Sequence, residues 1–238
     1  MKLLITRPAD DAETLVTQLQ AIGIDSHRAP LMTIVATPQD LPAVETVGGI
    51  AFTSANGVRA LTAQISDPTW QALPAYCVGP QTLAAAQLAG FTNSHQGGGD
   101  VAALAELIGQ LHGPQAKPLL HIAGSHVAGN LLGLLAQAGI TAKKAVLYEA
   151  REITAFDAET AAALGAGGLE GSLNGVMLYS QRSARVFLAL WGQLDAPKLT
   201  AYCLSPVIGE LMQAHGFEVA VAAQPDEKSM LALLAESQ

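Results

Sequence analysis

Six short stretches rich in Gly, Ser, Thr and Pro each follow an apolar run and precede a helical pattern. They are Thr6-Arg7-Pro8, Thr53-Ser54-Ala55-Asn56, Gly79-Pro80-Gln81-Thr82, Gly124-Ser125-His126, Ser180-Gln181-Arg182-Ser183 and Ser205-Pro206-Val207-Ile208. A loop that opens a helix presents backbone N–H groups with no intrahelical acceptor, at the positive end of the helix dipole. That arrangement suits anions such as carboxylates or phosphates. Ser, Thr and Asn in these places also cap helices, so each residue alone says little and the set of six says more.

Other chemistries lack their motifs. Neither the dinucleotide fingerprint G-x-G-x-x-G nor a P-loop is present. The run Gly97-Gly98-Gly99-Asp100 precedes a helix, but its counterpart later in the chain is Gln224-Pro225-Asp226-Glu227, so it reads as a loop and a cap. The six histidines are scattered, and neither Cys77 nor Cys203 belongs to a C-x-x-C pair, so no metal site is expected. No G-x-S-x-G elbow appears. Asp10 and Asp11 lie too late after the first strand for an aspartyl phosphotransfer site.

The elements that position these loops come from a duplication. The hexapeptides Ala75–Pro80 (AYCVGP) and Ala201–Pro206 (AYCLSP) lie 126 positions apart. At the same spacing Gly49 meets Gly175, Ser54 meets Ser180, Arg59 meets Arg185, and Gly90-Phe91 meets Gly216-Phe217. A second register, of 116, links Leu3-Leu4 to Leu119-Leu120, Leu15 to Leu131, Gly23-Ile24 to Gly139-Ile140 and Ala29 to Ala145. Each copy is thus an A segment (1–35, then 118–150) followed by a B segment (49–112, then 175–238), with an insertion near Phe156–Ser172. Within each segment short apolar strands alternate with helical patterns. Asp10 or Asp11 is expected to cap the first helix, Asp100 the helix Val101–Leu111, and Gly23 and Gly90 to end helices. Such alternation predicts parallel sheets with helices on both faces: an α/β chain of two similar flavodoxin-like, doubly wound lobes. In such sheets ligands bind outside the carboxyl ends of the strands, where the six loops fall.

Composition bounds the rest. The chain has 238 residues, half of them hydrophobic and only 5% aromatic, with a formal net charge of −8. The acidic balance argues against non-specific binding to nucleic acid or an anionic membrane. The N-terminus reads as a strand rather than a signal peptide. Pro118–Ala142 lacks Asp, Glu, Lys and Arg, yet its His121, Ser125, His126, Asn130 and Gln137 make it a strand, a polar loop and a helix rather than a membrane span. A cytoplasmic protein is expected. Cys77 and Cys203 sit in apolar runs as small buried hydrophobes, not a disulfide.

An ordered series of motifs now resembles the uroporphyrinogen-III synthase family. It runs through ITRPADDAETLVTQLQAIGIDSHRAPLMTI, IAFTSANGVRAL, YCVGPQTLAAAQLAGF, GGGDVAALAELI and PLLHIAGSHVAGNLLGLLAQAGITAKKAVLYEA, then GVMLYSQRSARVFL and AYCLSPVIGELMQAHGF. The resemblance covers nearly the whole chain. It implies two lobes joined by a two-stranded linker: 1–35 with 153–238, and 36–152, with linker strands near 30–37 and 145–153. Ala29–Thr37 and Ala145–Ile153, equivalent and extended, fit those strands. A two-stranded hinge would let the lobes close over a ligand.

The resemblance implies a lyase that cyclises hydroxymethylbilane to uroporphyrinogen III with loss of water and inversion of ring D, without metal or organic cofactor. The substrate is a linear tetrapyrrole octacarboxylate, with hydroxymethylbilane synthase as the candidate donor and a monomer as the working unit. Peptide N–H groups can bind it despite the negative net charge. The binding residues so implied are Arg7, Thr53, Ser54, Ala55, Gln81, Thr82, Gly124, Ser125, His126, Ser180, Gln181, Ser205, Pro206 and Val207. Lys143, Lys144, Arg151 and Arg182 would add charge where they face the ligand. Tyr148 in AVLYEA matches the family's tyrosine on the second linker strand and is the candidate acid. A phenol is protonated at neutral pH and can donate to a leaving hydroxyl. Its repeat partner is Met32, so the polar tip exists in one copy only. The chain departs from the family at Ser205-Pro206-Val207-Ile208, where many members carry Gly-Pro-Thr-Thr; hydroxyl contacts are lost there and Ser205 is left to compensate. Two other readings stand beside this one: a non-catalytic cytoplasmic two-lobed binder of an anionic small molecule, and a sugar-phosphate or nucleotide transferase, which the missing glycine fingerprint disfavours.

Overall fold

A computed structural model describes residues 1–126, 129–168 and 170–236, without the side chains of Asp10 and Asp11. The chain begins with β1 (Lys2–Ile5), α1 (Ala9–Ala21), β2 (Asp25–Arg28) and β3 (Met32–Ala36). It continues through β4 (Gly49–Phe52), α2 (Ala55–Thr62), α3 (Thr69–Ala72), β5 (Ala75–Cys77), α4 (Pro80–Leu88), β6 (Ser94–Gln96) and α5 (Val101–Leu111). Next come β7 (Leu119–Gly124), α6 (Leu131–Gln137), β8 (Ala142–Glu152) and α7 (Ala158–Ala163). It ends with β9 (Gly175–Leu178), α8 (Gln181–Trp191), β10 (Thr200–Cys203), α9 (Pro206–Ala214), β11 (Glu218–Val221) and α10 (Glu227–Glu236).

The chain forms two compact units, Met1–Thr33 with Arg151–Gln238, and Ile34–Ala150. Both crossings between them run through β3 and β8, which pair at the edge of one sheet. Thr37 donates to Leu147 and Ile153 to Leu31, so the two strands run in opposite directions.

The five-stranded sheet has the order β11-β10-β9-β1-β2 and the six-stranded sheet β3-β8-β7-β4-β5-β6. Apart from β3, each sheet joins the A segment of one copy to the B segment of the other; in chain order the five-stranded sheet runs 2-1-3-4-5 and the other 3-2-1-4-5, both doubly wound orders. Neighbouring strands within these sets are parallel.

Strand residues alternate between two apolar layers, as a period of two requires. In the six-stranded sheet Ile50, Phe52, Cys77, Leu120, Ile122 and Leu147 pack with Val58, Leu61 and Ala86 of α2 and α4. Ala51, Tyr76 and Leu119 face Leu104, Ile108, Leu131 and Leu135 of α5 and α6. The five-stranded sheet repeats this, with α8 and α9 on one face and α1 and α10 on the other.

The repeated hexapeptide has a packing reason. A Cβ on Gly49 would come within 3.1 Å of the Tyr76 ring, and one on Gly175 within 2.6 Å of the Tyr202 ring. In each unit the AYC tyrosine covers a bare glycine on the adjoining strand. Cys77 and Cys203, each buried in its own unit's core, are free thiols whose pKa burial pushes up to about 12.

Local signals decide the helix ends. Asp100 accepts from Ala103 N–H at 2.8 Å and caps α5, as expected. The expected cap of α1 by Asp10 or Asp11 does not occur. Pro8, at φ −50°, takes the cap position, and both aspartates fall inside the first turn. Proline's fixed φ suits a helix start and brings forward the first residue that can wind. Gly23, Gly90, Gly139 and Gly216 follow α1, α4, α6 and α9 with φ between 74° and 91°, the left-handed turn that only glycine adopts without strain.

Candidate active site

In sheets of this order the ligand crevice lies at the switch point, beyond the carboxyl ends of the two strands where the order reverses. In the six-stranded unit those strands are β7 and β4. Their loops are Gly124-Ser125-His126 and Thr53-Ser54-Ala55-Asn56.

Tyr148 joins this end from β8. It pairs with Gly124 across a register shift between Ala123 and Gly124. A Cβ on Gly124 would stand 2.8 Å from Cε2, 2.9 Å from Cζ and 3.2 Å from Oη of Tyr148. The phenol ring therefore lies on bare backbone, and glycine is the residue that admits it. Tyr148 is buried, and its carbonyl accepts from Ser125 N–H at 2.9 Å. Ser125 Oγ lies 3.2 Å from Nδ1 of His126, and both residues are exposed. Gly124, Ser125, His126 and Tyr148 thus form one group at the end of β7.

Thr53 lies at the end of β4, and its Oγ1 is 3.2 Å from Nε2 of His121 on β7. His121 is only 1% exposed, and its Nδ1 has no partner among the described residues. Burial, aided by the charge of Lys144, lowers its pKa from 6.5 to about 4, so the ring is neutral at pH 7. The scattered histidines hid this residue. The available signal was a lone polar side chain inside the strand LLHIA.

The remaining loop residues divide by how their helix is capped. Ser54 caps α2 by accepting from Asn56 N–H at 3.1 Å, and Ala55 opens the helix, buried. Ser180 caps α8 in a reciprocal box with Ser183. The two hexapeptide helices differ. Neither α4 nor α9 has a side-chain cap, and each starts with a proline, Pro80 or Pro206. Behind them lie exposed Gln81 with buried Thr82, and exposed Val207.

Several charges lie elsewhere or are already engaged. Lys143 and Lys144 pair with Leu120 and His121, early in their strand. Lys143 is five residues before Tyr148, about 17 Å along the strand. Arg182 Nε donates to Glu152 at 2.8 Å, and Gln181 accepts from Arg185. Arg7 sits at the other switch point, between β1 and β9. Its guanidinium pairs with Glu227 at 2.6 Å and lies 4.7 Å over the ring of Tyr179. Among the described residues no group lies at hydrogen-bonding geometry to the buried Tyr179 hydroxyl, and burial raises its pKa against the opposing charge of Arg7. Tyr179 and Glu227 escaped the sequence reading because they come together only through the fold. Among the described residues no His, Cys, Asp and Glu group could hold a metal ion, and no helix is long and apolar enough to cross a membrane.

The family model described as uroporphyrinogen-III synthase HemD matches residues 13–232. The chain belongs to the uroporphyrinogen-III synthase family. Its fold is similar to the crystal structure of uroporphyrinogen-III synthetase from Helicobacter pylori 26695, at 18% identity and TM-score 0.69, covering 100% of this chain and 99% of that one. It is also similar to a mutant uroporphyrinogen III synthase from the extremely thermophilic bacterium Thermus thermophilus, at 15% identity and TM-score 0.53, covering 100% and 97%. A search of curated proteins by sequence found no match. At such identities the structures speak for the fold, and membership rests on the family match.

Proposed function

We propose that the protein is a lyase that closes hydroxymethylbilane to uroporphyrinogen III, losing water and inverting ring D. The observation that carries the proposal, beside family membership, is Tyr148 seated on Gly124 at the strand ends, next to Ser125. Tyr148 donates its phenolic proton to the hydroxyl on ring A, the C–O bond breaks and water leaves. Ring D then attacks the resulting azafulvene through its substituted carbon, and the spiro intermediate reopens and closes with ring D reversed. Holding the bilane for this closure needs positioning rather than a nucleophile.

The carboxylates are bound by Thr53, Ser54, Ala55, Gln81, Thr82, Gly124, Ser125 and His126 of one unit. Arg7, Ser180, Gln181, Ser205, Pro206 and Val207 of the other supply further contacts, the start of α9 through peptide N–H groups. The two compact units are the two lobes, and β3 and β8 the linker. The same proposal makes the protein a cytoplasmic monomer, its two cysteines free, receiving substrate from hydroxymethylbilane synthase.

The test is product analysis. Fresh hydroxymethylbilane is supplied, the product oxidised, and isomers I and III separated, for the native protein and for Tyr148→Phe. Native protein should give mainly isomer III, and the variant should be slower by about 100-fold, the low end for a general acid. Isomer I alone from the native protein refutes the function. Undiminished isomer III from the variant refutes the role of Tyr148.

A further inference from the structure

We propose that His121 is a positioning residue that fixes the hydroxyl of Thr53 as a hydrogen-bond donor aimed at a carboxylate of the ligand. The carboxylate rests on the function proposed above; the proton arrangement rests on geometry alone. Nε2 of His121 and Oγ1 of Thr53 are 3.2 Å apart and share one proton. Either Thr53 donates to a bare Nε2, or Nε2–H donates to Thr53.

The two arrangements leave different atoms stranded. His121 is buried, between Ala51 of β4 and Lys144 of β8 in register, and Nδ1 has no partner among the described residues. If Thr53 donates, Nδ1 carries a hydrogen and becomes a buried N–H without an acceptor, the rarer and costlier orphan. If Nε2–H donates, Nδ1 keeps only an unused lone pair. The second arrangement is also the tautomer that free histidine prefers, and a nearby lysine charge is better tolerated beside a lone pair than beside an N–H. Protonation of both nitrogens would leave Nδ1–H without an acceptor, and burial opposes it.

The consequence is directional. A hydroxyl that accepts from Nε2–H holds its own hydrogen away from the histidine, out of the core. Thr53 is only partly buried and immediately precedes Ser54, whose side chain is taken up in capping α2. Thr53 therefore presents its O–H, beside one remaining lone pair, to whatever approaches the loop. A donor suits a carboxylate and disfavours a cation. The neutral ring selects the sign of the ligand group without adding a charge.

Two measurements test this. Nitrogen chemical shifts of the His121 ring in the ligand-free protein, assigned by their loss in His121→Gln, should show Nε2 protonated and Nδ1 bare at pH 7. Protonation at Nδ1 overturns the proposal, and this reading stands whatever the substrate proves to be. The second measurement follows isomer III formation from hydroxymethylbilane. His121→Leu should lower kcat/KM about tenfold, through KM, by freeing the threonine hydrogen to turn inward. His121→Gln, which can place an amide N–H where Nε2 stood, should restore most of that loss. In a Thr53→Val background His121→Leu should cost nothing more. Equal losses for Leu and Gln, or independent losses in the double variant, overturn the proposal. A native protein that makes no isomer III defeats the proposed function instead and leaves the tautomer result to decide the proton arrangement.

Discussion

Acid should weaken the six-stranded unit through His121, by an amount the structure sets. The ring has a pKa of about 4 in the fold against 6.5 in the unfolded chain. Above pH 6.5 both states carry a neutral ring and the histidine contributes nothing to the pH dependence. As pH falls below 6.5 the unfolded chain takes up a proton that the fold refuses, and stability drops until the folded ring also titrates near pH 4. The interval corresponds to about 3 kcal/mol. Burial is the larger cause and the Lys144 charge the smaller, while Thr53 offers only a hydroxyl and the α5 and α6 side of the layer is apolar. The assay is urea unfolding from pH 8 to 4, followed by the fluorescence of Trp70, which lies in this unit. Trp191 is in the other and is removed as Trp191→Phe. Carboxylates also titrate in this range, so the informative quantity is the difference from His121→Gln, in which they cancel. Native protein should lose about 3 kcal/mol more than the variant between pH 6.5 and 4. Parallel losses would show that the ring is not held neutral and would remove the physical basis assigned to its burial. Lys144→Met should shrink the difference without abolishing it.

Three further outcomes are expected. Gly124→Ala puts a methyl 2.8 Å from the Tyr148 ring, so it should cost about 1–3 kcal/mol and depress isomer III formation as Tyr148→Phe does; full activity would show that the ring need not sit there. Gly175→Ala meets the Tyr202 ring at 2.6 Å and the Thr200 carbonyl at 2.9 Å, while Gly49→Ala meets nothing closer than 3.0 Å, so Gly175→Ala should lower the urea midpoint more and an equal drop would contradict the packing. Glu227→Gln removes the 2.6 Å partner of a largely buried Arg7 and should cost about 2 kcal/mol, read by urea unfolding followed through Trp191; an unchanged midpoint would mean that the pair adds no net stability.

Much of the fold was legible because its signals are local. Short, near-continuous apolar runs marked strands such as Leu119–Gly124, Asp100 marked the start of α5, and the glycines after α1, α4, α6 and α9 marked turns that other residues resist. The duplication was visible because both copies must solve the same packing problem: Tyr76 over Gly49, Tyr202 over Gly175. Asp10 and Asp11 misled because a proline before them could begin the helix sooner.

The candidate site was legible only in part. Strand-to-helix loops can be read from composition, and family resemblance singled out Tyr148. Contacts between distant positions could not be read that way. Arg7 and Glu227 are 220 residues apart and His121 lies 68 from Thr53. The sequence by itself determined the elements, their caps and turns, the duplication and the loops that face the strand ends, since backbone sterics and hydrophobic periodicity act over a few residues. Local patterning could not decide that β1 lies beside β9 and β7 beside β4, because the A and B segments of both copies carry equivalent faces; family resemblance implied which segments share a lobe, and the tertiary structure gives the strand pairing. That choice buries His121 behind Thr53, lays Tyr148 on Gly124 and turns Arg7 toward Glu227. Desolvation and close approach then give those side chains their chemistry, and both exist only once the strands are side by side.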